Sequence, residues 1–79
     1  MDKLKAINPE HQPMVNRCTS WLIKHNAANE LRNIFDGDEE SREYSLLENK
    51  CGYTFDKYLD YRDELPKREV ANIEASDFY

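Results

Sequence analysis

The chain has 79 residues, 39% of them hydrophobic, with 11 Lys and Arg against 16 Asp and Glu and a formal net charge of −5. One small domain fills that length, which excludes a multidomain enzyme, and two Gly and three Pro exclude a collagen-like or low-complexity chain. The negative sign argues against direct nucleic-acid binding through a general positive field, while nine aromatic residues suffice to seed a core.

Residues 1–11 read as an N-terminal arm. Asn8-Pro9 offers a helix start, but Pro13 resets it, because a Pro inside a helix forfeits a backbone hydrogen bond. The first helix is predicted at about 13–35. Its apolar positions are Met14, Val15, Cys18, Leu22, Ile23, Ala27, Leu31, Ile34 and Phe35, with Trp21 on the flank and a possible kink at Asn26. Asp36-Gly37 signals chain reversal.

A second helix is predicted at about 39–64, capped by Asp38 or Ser41. Its face runs through Tyr44, Leu47, Cys51, Phe55, Tyr58, Arg62 and Leu65. That rhythm does not break at Gly52, which favours one long helix over two short ones. Pro66 ends it, and Val70 and Ile73 mark a short C-terminal helix at about 66–75. Asp77–Tyr79 either frays or docks its two aromatics.

The predicted fold is therefore all-α, a single domain 1–79 built as an antiparallel helical hairpin with a short third helix. Two six-turn helices share only one seam, too little to hide all the large side chains. Completion of a bundle by a homodimer or higher oligomer, or cover from a protein partner, is expected. No segment approaches the roughly 20 apolar residues of a membrane helix, and MDKLKAINPE lacks the apolar core of a signal peptide. A cytoplasmic protein without membrane contact is expected, with Cys18 and Cys51 as buried thiols rather than a bridge.

No nucleophile with an activating base is specified, so no catalytic residue, cofactor or metal is expected and the chain reads as a non-enzyme. His25 and Cys18 share a helical face, but nothing enforces a full ligand set. Asp36-Gly37-Asp38 lacks the Gly and Glu positions of a calcium loop.

Charge is uneven: residues 1–35 carry a balance of +2 and residues 36–79 one of −7. Asp56, Asp60, Asp63 and Glu64 lie opposite the Phe55–Tyr58 face as an acidic ridge. Tyr53, Lys57 and Tyr61 form a stripe at i, i+4 and i+8. With Trp21, this stripe and ridge are the expected partner-binding surface, since Tyr and Trp supply contact area at low entropy cost. The leading expectation is a small acidic regulator or inhibitor, of the kind phages and mobile elements encode. It would act by protein–protein binding and would occupy a basic or nucleic-acid-binding site on its target. A homo-oligomeric structural subunit is an alternative.

Ser41-Arg42-Glu43-Tyr44-Ser45-Leu46 opens the second helix. It resembles an S/G-R-E-x-S-L segment of small helical-hairpin phage proteins that sequester cyclic nucleotide signals. In that family the segment contributes phosphate or ribose contacts, and oligomerisation builds the pocket. The resemblance covers six residues and implies Arg42 and Ser45 as ligand contacts in an oligomeric nucleotide sponge. After Leu47 the chain departs from that family's Ala-rich, Trp-containing helix.

Overall fold

A computed structural model describes residues 3–79. Three helices follow a short 3-10 turn at Pro9–His11: α1 (Gln12–Asn33), α2 (Arg42–Arg62) and α3 (Lys67–Glu74). α1 and α2 form the expected antiparallel hairpin, and no strand occurs among the described residues. The molecule is long, 46 × 23 × 16 Å, with a radius of gyration of 14.3 Å. A compact chain of this length would have about 12 Å.

The helix ends follow local chemistry. Pro9 sits in the first turn of the 3-10 segment, where the Asn8 side chain accepts from the Glu10 N–H. Pro13 then occupies the first turn of α1, where no intrahelical N–H is required of it. The Ser41 hydroxyl caps α2 by accepting from the Tyr44 N–H. α2 therefore starts at Arg42, three residues later than predicted. Asp38 does not cap it but turns back on the Glu40 N–H within the loop. Between the helices, Phe35 packs on Tyr44 with ring centroids 5.5 Å apart. The Phe35 ring also lies over Gly37, 3.0 Å from where a Cβ would sit.

α1 runs unbroken through Asn26. α2 passes unbroken through Gly52, so the long-helix reading holds. The inner line of α1 differs from the predicted one. Val15, Cys18, Thr19, Leu22 and Ala28 are buried, with His25, Asn29 and Arg32 half-buried along the same line. Ile23, Ala27, Leu31 and Ile34, placed on the face by their apolarity, are exposed. The seam turns polar in its second half, and the apolar residues there lie to either side of it.

The core is concentrated at one end. Ala6, Val15, Cys18, Leu22, Tyr58, Leu65 and Ile73 form it, with Leu4, Trp21, Phe55, Val70 and Phe78 packed around. α3 and the N-terminal segment both lie against this end of the hairpin. The C-terminus docks rather than frays: the Asn26 side chain donates to the Phe78 carbonyl at 2.8 Å, and the Tyr79 ring sits 6.2 Å from that of Tyr58. Burial pushes the Tyr58 phenol up to about 12, and its hydroxyl has no hydrogen-bond partner among the described residues. Cys18 and Cys51 are both buried free thiols. Burial raises Cys18 to about 11, so it is an inert packing group at neutral pH.

The arm is held by a buried carboxylate. Glu69 of α3 is 1% exposed. Its Oε1 accepts from the Ile7 N–H at 2.9 Å, and its Oε2 from the Asn8 N–H at 3.0 Å and from His11 Nδ1 at 2.9 Å. Gln12 reads the same segment by accepting from the Ala6 N–H and donating to the Leu4 carbonyl, both at 2.8 Å. Asn72 donates to the Lys5 carbonyl at 3.0 Å. Met1 and Asp2, the start of the predicted arm, lie outside the described residues.

Burial pushes the Glu69 carboxyl upward. The N–H groups of Asn8 and Ile7 and the His11 ring together outweigh this, so its pKa lies below the ordinary 4.5. A carboxylate lowered by folding contributes its stability in full above the unfolded value, and loses it as pH falls through the folded one. Glu69→Gln is expected to cost about 2 kcal/mol by leaving one buried N–H facing a donor. It should also flatten the acid limb of stability between pH 5 and the folded pKa; a wild-type acid limb in the variant's urea titrations would contradict this. Gly52→Ala meets nothing within 4 Å. It should stabilise the protein by about 1 kcal/mol, read as a higher midpoint of thermal unfolding.

Candidate functional site

α1 and α2 present a continuous aromatic and cationic face on one side of the hairpin. Trp21 of α1 meets Tyr53 of α2 edge to face, with centroids 5.8 Å apart and planes at 80°. Lys24 Nζ lies 4.4 Å from the Trp21 ring centroid, and Lys57 Nζ lies 5.6 Å from that of Tyr53. One turn further toward the core end, the Arg17 guanidinium lies 5.7 Å from the Tyr61 centroid. Helical spacing explains the alignment. Arg17, Trp21 and Lys24 are i, i+4 and i+7 on α1, and Tyr53, Lys57 and Tyr61 are i, i+4 and i+8 on α2.

The structure thus brings Trp21, Tyr53, Lys57 and Tyr61 together, and joins to them two cations that sequence reasoning missed. Arg17 and Lys24 fall just outside the apolar line of α1. Their spacing from Trp21 was visible, but its meaning depended on which α2 residues stand opposite. Tyr53 is 56% exposed, and Trp21 and Tyr61 are half-buried. Leu46, two turns before Tyr53, is 58% exposed and extends the same side of α2 toward the hairpin tip.

The acidic residues adjoin this face: Asp56 and Asp60 stand at i+3 and i+7 from Tyr53 on the outward arc of α2. Asp56, Asp60, Asp63 and Glu64 are all exposed, the last two just past the end of α2. Arg62 touches Asp63 at 3.7 Å and Glu74 at 4.0 Å. Such exposed pairs contribute little and leave the ridge open to solvent. Arg42 and Ser45 lie exposed in the first turn of α2, at the hairpin tip and away from the aromatic face.

A shallow cleft of about 370 Å³ opens between the helices near the tip, lined by His25, Arg32, Glu48, Cys51, Gly52 and Phe55. His25 Nδ1–H donates to the Cys51 carbonyl at 3.0 Å, and its ring packs on Phe55 with centroids 5.0 Å apart. The Thr54 hydroxyl donates back to the Lys50 carbonyl at 2.8 Å. These polar groups satisfy one another and stitch the seam. Among the described residues no three His, Cys, Asp or Glu side chains converge to hold a metal, and no helix is long and apolar enough to cross a membrane. Comparison with protein-family models, curated proteins and solved structures finds no match to the chain.

An edge-to-face aromatic pair couples its members by about 1 kcal/mol beyond their separate burial. A double-mutant cycle with Trp21→Ala and Tyr53→Ala should return a coupling of that size in chemical denaturation. Strict additivity would mean that the two rings do not hold each other in solution.

Proposed function

We propose that this chain is a non-enzymatic protein-binding module and that the Trp21–Tyr53–Tyr61 face is where its partner docks. A regulator or inhibitor that works by covering a surface on its target fits this reading. One observation carries it. Trp21 and Tyr53 pack edge to face across the two helices, Tyr61 lies two turns further along α2, all three keep part of their surface open to solvent, and cations are stretched along their rings. Large, rigid, amphipathic side chains clustered in this way supply the anchors of protein interfaces. Their mutual packing lowers the entropy lost on docking, because the rings are already positioned before a partner arrives.

The interior supports the reading from the other side. The chemistry-bearing groups are occupied with packing: Cys18 is sealed and raised to about 11, His25 is tied to a carbonyl, and Glu69 is saturated by donors. The face is the part of the hairpin whose side chains are arranged but not covered.

The test is photo-crosslinking in extracts of cells that naturally make the protein. A photoreactive residue at position 53 should give one dominant adduct, absent when the same residue sits at position 39 in the interhelical loop. The adduct should fall at least about tenfold with Trp21→Ala, the effect of losing an anchor residue. Equal adducts from both positions, or indifference to Trp21→Ala, would refute the assignment.

A further inference from the structure

We infer that α1 carries a second interface, and that its occupant is a second copy of this chain, packed antiparallel across Ala27. Ile23, Ala27, Leu31 and Ile34 stand at i, i+4, i+8 and i+11, an apolar stripe on the exposed side of α1. The described residues leave it open: Ile23 is 38% exposed, Leu31 49% and Ile34 69%. Several large apolar side chains aligned on one helix make a surface to be covered, unlike a scatter of single exposed residues. Lys24 stands between this stripe and Trp21, so the two interfaces are separate and the inference holds whatever docks on the aromatic face.

Charge, register and shape select the second copy. Between Ser20 and Ile34 the exposed charged residues of α1 are one cation, Lys24, and one anion, Glu30, on opposite sides of the stripe. Those of α2 are Arg42 and Lys50 against Glu43, Glu48, Asp56 and Asp60. Two copies of a chain with net charge −5 repel each other, and least where a neutral helix meets its like. Register agrees. Antiparallel pairing about a two-fold axis at Ala27 sets Ile23 level with Leu31 of the second copy, and Ile34 level with its Ser20, which is also exposed. Two large side chains then meet, Ile34 finds room over a small residue, and Ala27 meets itself where the helices come closest. Such a contact is isologous and closes at two chains. An unrelated partner has no need of a stripe that matches itself about one residue. Shape agrees as well. α3, the N-terminal segment and Phe78 thicken the end of the hairpin where α1 starts, and the tip is only two helices thick. Antiparallel pairing lays each thick end beside a thin one and gathers the two hairpins into four helices that cover Leu31 and Ile34. A parallel pair would press the two thick ends together.

Two helices meeting over about four turns bury less than a standard interface, which puts the dimer in the micromolar range. Sedimentation equilibrium of the full chain, from about 1 to about 500 µM, should therefore follow a monomer–dimer equilibrium. Ala27→Glu and Ala27→Lys should each raise its dissociation constant at least about tenfold, by setting like charges on the axis, and an equimolar mixture of the two should restore dimers. Should either variant disturb the helices by circular dichroism, Leu31→Gln with Ile34→Gln takes their place, with a loss of about the same tenfold. Disulfides report orientation, since the native Cys18 and Cys51 are buried. Ile23→Cys mixed with Leu31→Cys should oxidise to a mixed dimer, and Leu31→Cys alone should not pair. Tyr53→Ser, on the aromatic face, should leave the equilibrium in place. A monomer at every concentration, growth beyond the dimer, indifference to these α1 substitutions, a mixture that stays monomeric, self-paired Leu31→Cys, or a dimer lost through Tyr53→Ser would each overturn the inference. The position-53 crosslink tests the other face and stands or falls separately.

Discussion

The carboxylate of Glu69 ties the two ends of the chain to each other. Its oxygens take the N–H groups of Ile7 and Asn8, some 60 positions away in sequence, and the ring of His11. A segment without secondary structure has no ladder to satisfy its backbone, and a buried unpaired N–H is costly. One side chain supplies both missing acceptors and thereby fixes the path of residues 3–8 across the end of the hairpin. Ala6 then reaches full burial and Leu4 packs beside it. Glu69 itself tolerates burial because three donors surround its charge, which is also why its proton affinity falls.

This clamp explains the lopsided shape. With α3, the N-terminal segment and Phe78 gathered at one end, that end has a three-sided core, and the other end is only two helices thick. There the seam is polar: His25 reaches the Cys51 carbonyl, and Arg32 donates to Asn29 at 2.7 Å. Leu31, Ile34 and Leu46 consequently stay exposed around the thin end. The aromatic face spans the junction, with Arg17 and Tyr61 anchored on the thick end and Lys24 and Tyr53 reaching toward the thin one.

The helices were legible because apolar residues recur every three or four positions, and Gly52 failed to interrupt α2 because the pattern on either side stays in phase. The inner line of α1 was not legible beyond Leu22. It continues through His25, Asn29 and Arg32, so a search for apolar residues slides to Ile23, Ala27, Leu31 and Ile34, which lie beside it. Glu69 carries no sequence signature, since two of its partners are backbone groups and the third, His11, lies 58 positions away. The stripe Tyr53–Lys57–Tyr61 could be read from spacing within one helix. Arg17 and Lys24 could not be added to it until the register of α1 against α2 was known, because their role lies between helices.

That register gives the cations of this face an unusual setting in an acidic protein. A Lys paired with its own carboxylate must shed that partner before it can meet another, and the exchange returns little. A cation laid over an aromatic ring gains from the ring's quadrupole while its outward side stays hydrated and accessible. Lys24, Lys57 and Arg17 are in this second situation, extended along Trp21, Tyr53 and Tyr61 and not curled toward a neighbouring acid. Asp56 and Asp60 stand beside Tyr53 and Lys57 on the same outward arc of α2, so this face carries both signs of charge within two turns, and the cations are held by the rings and not by these acids.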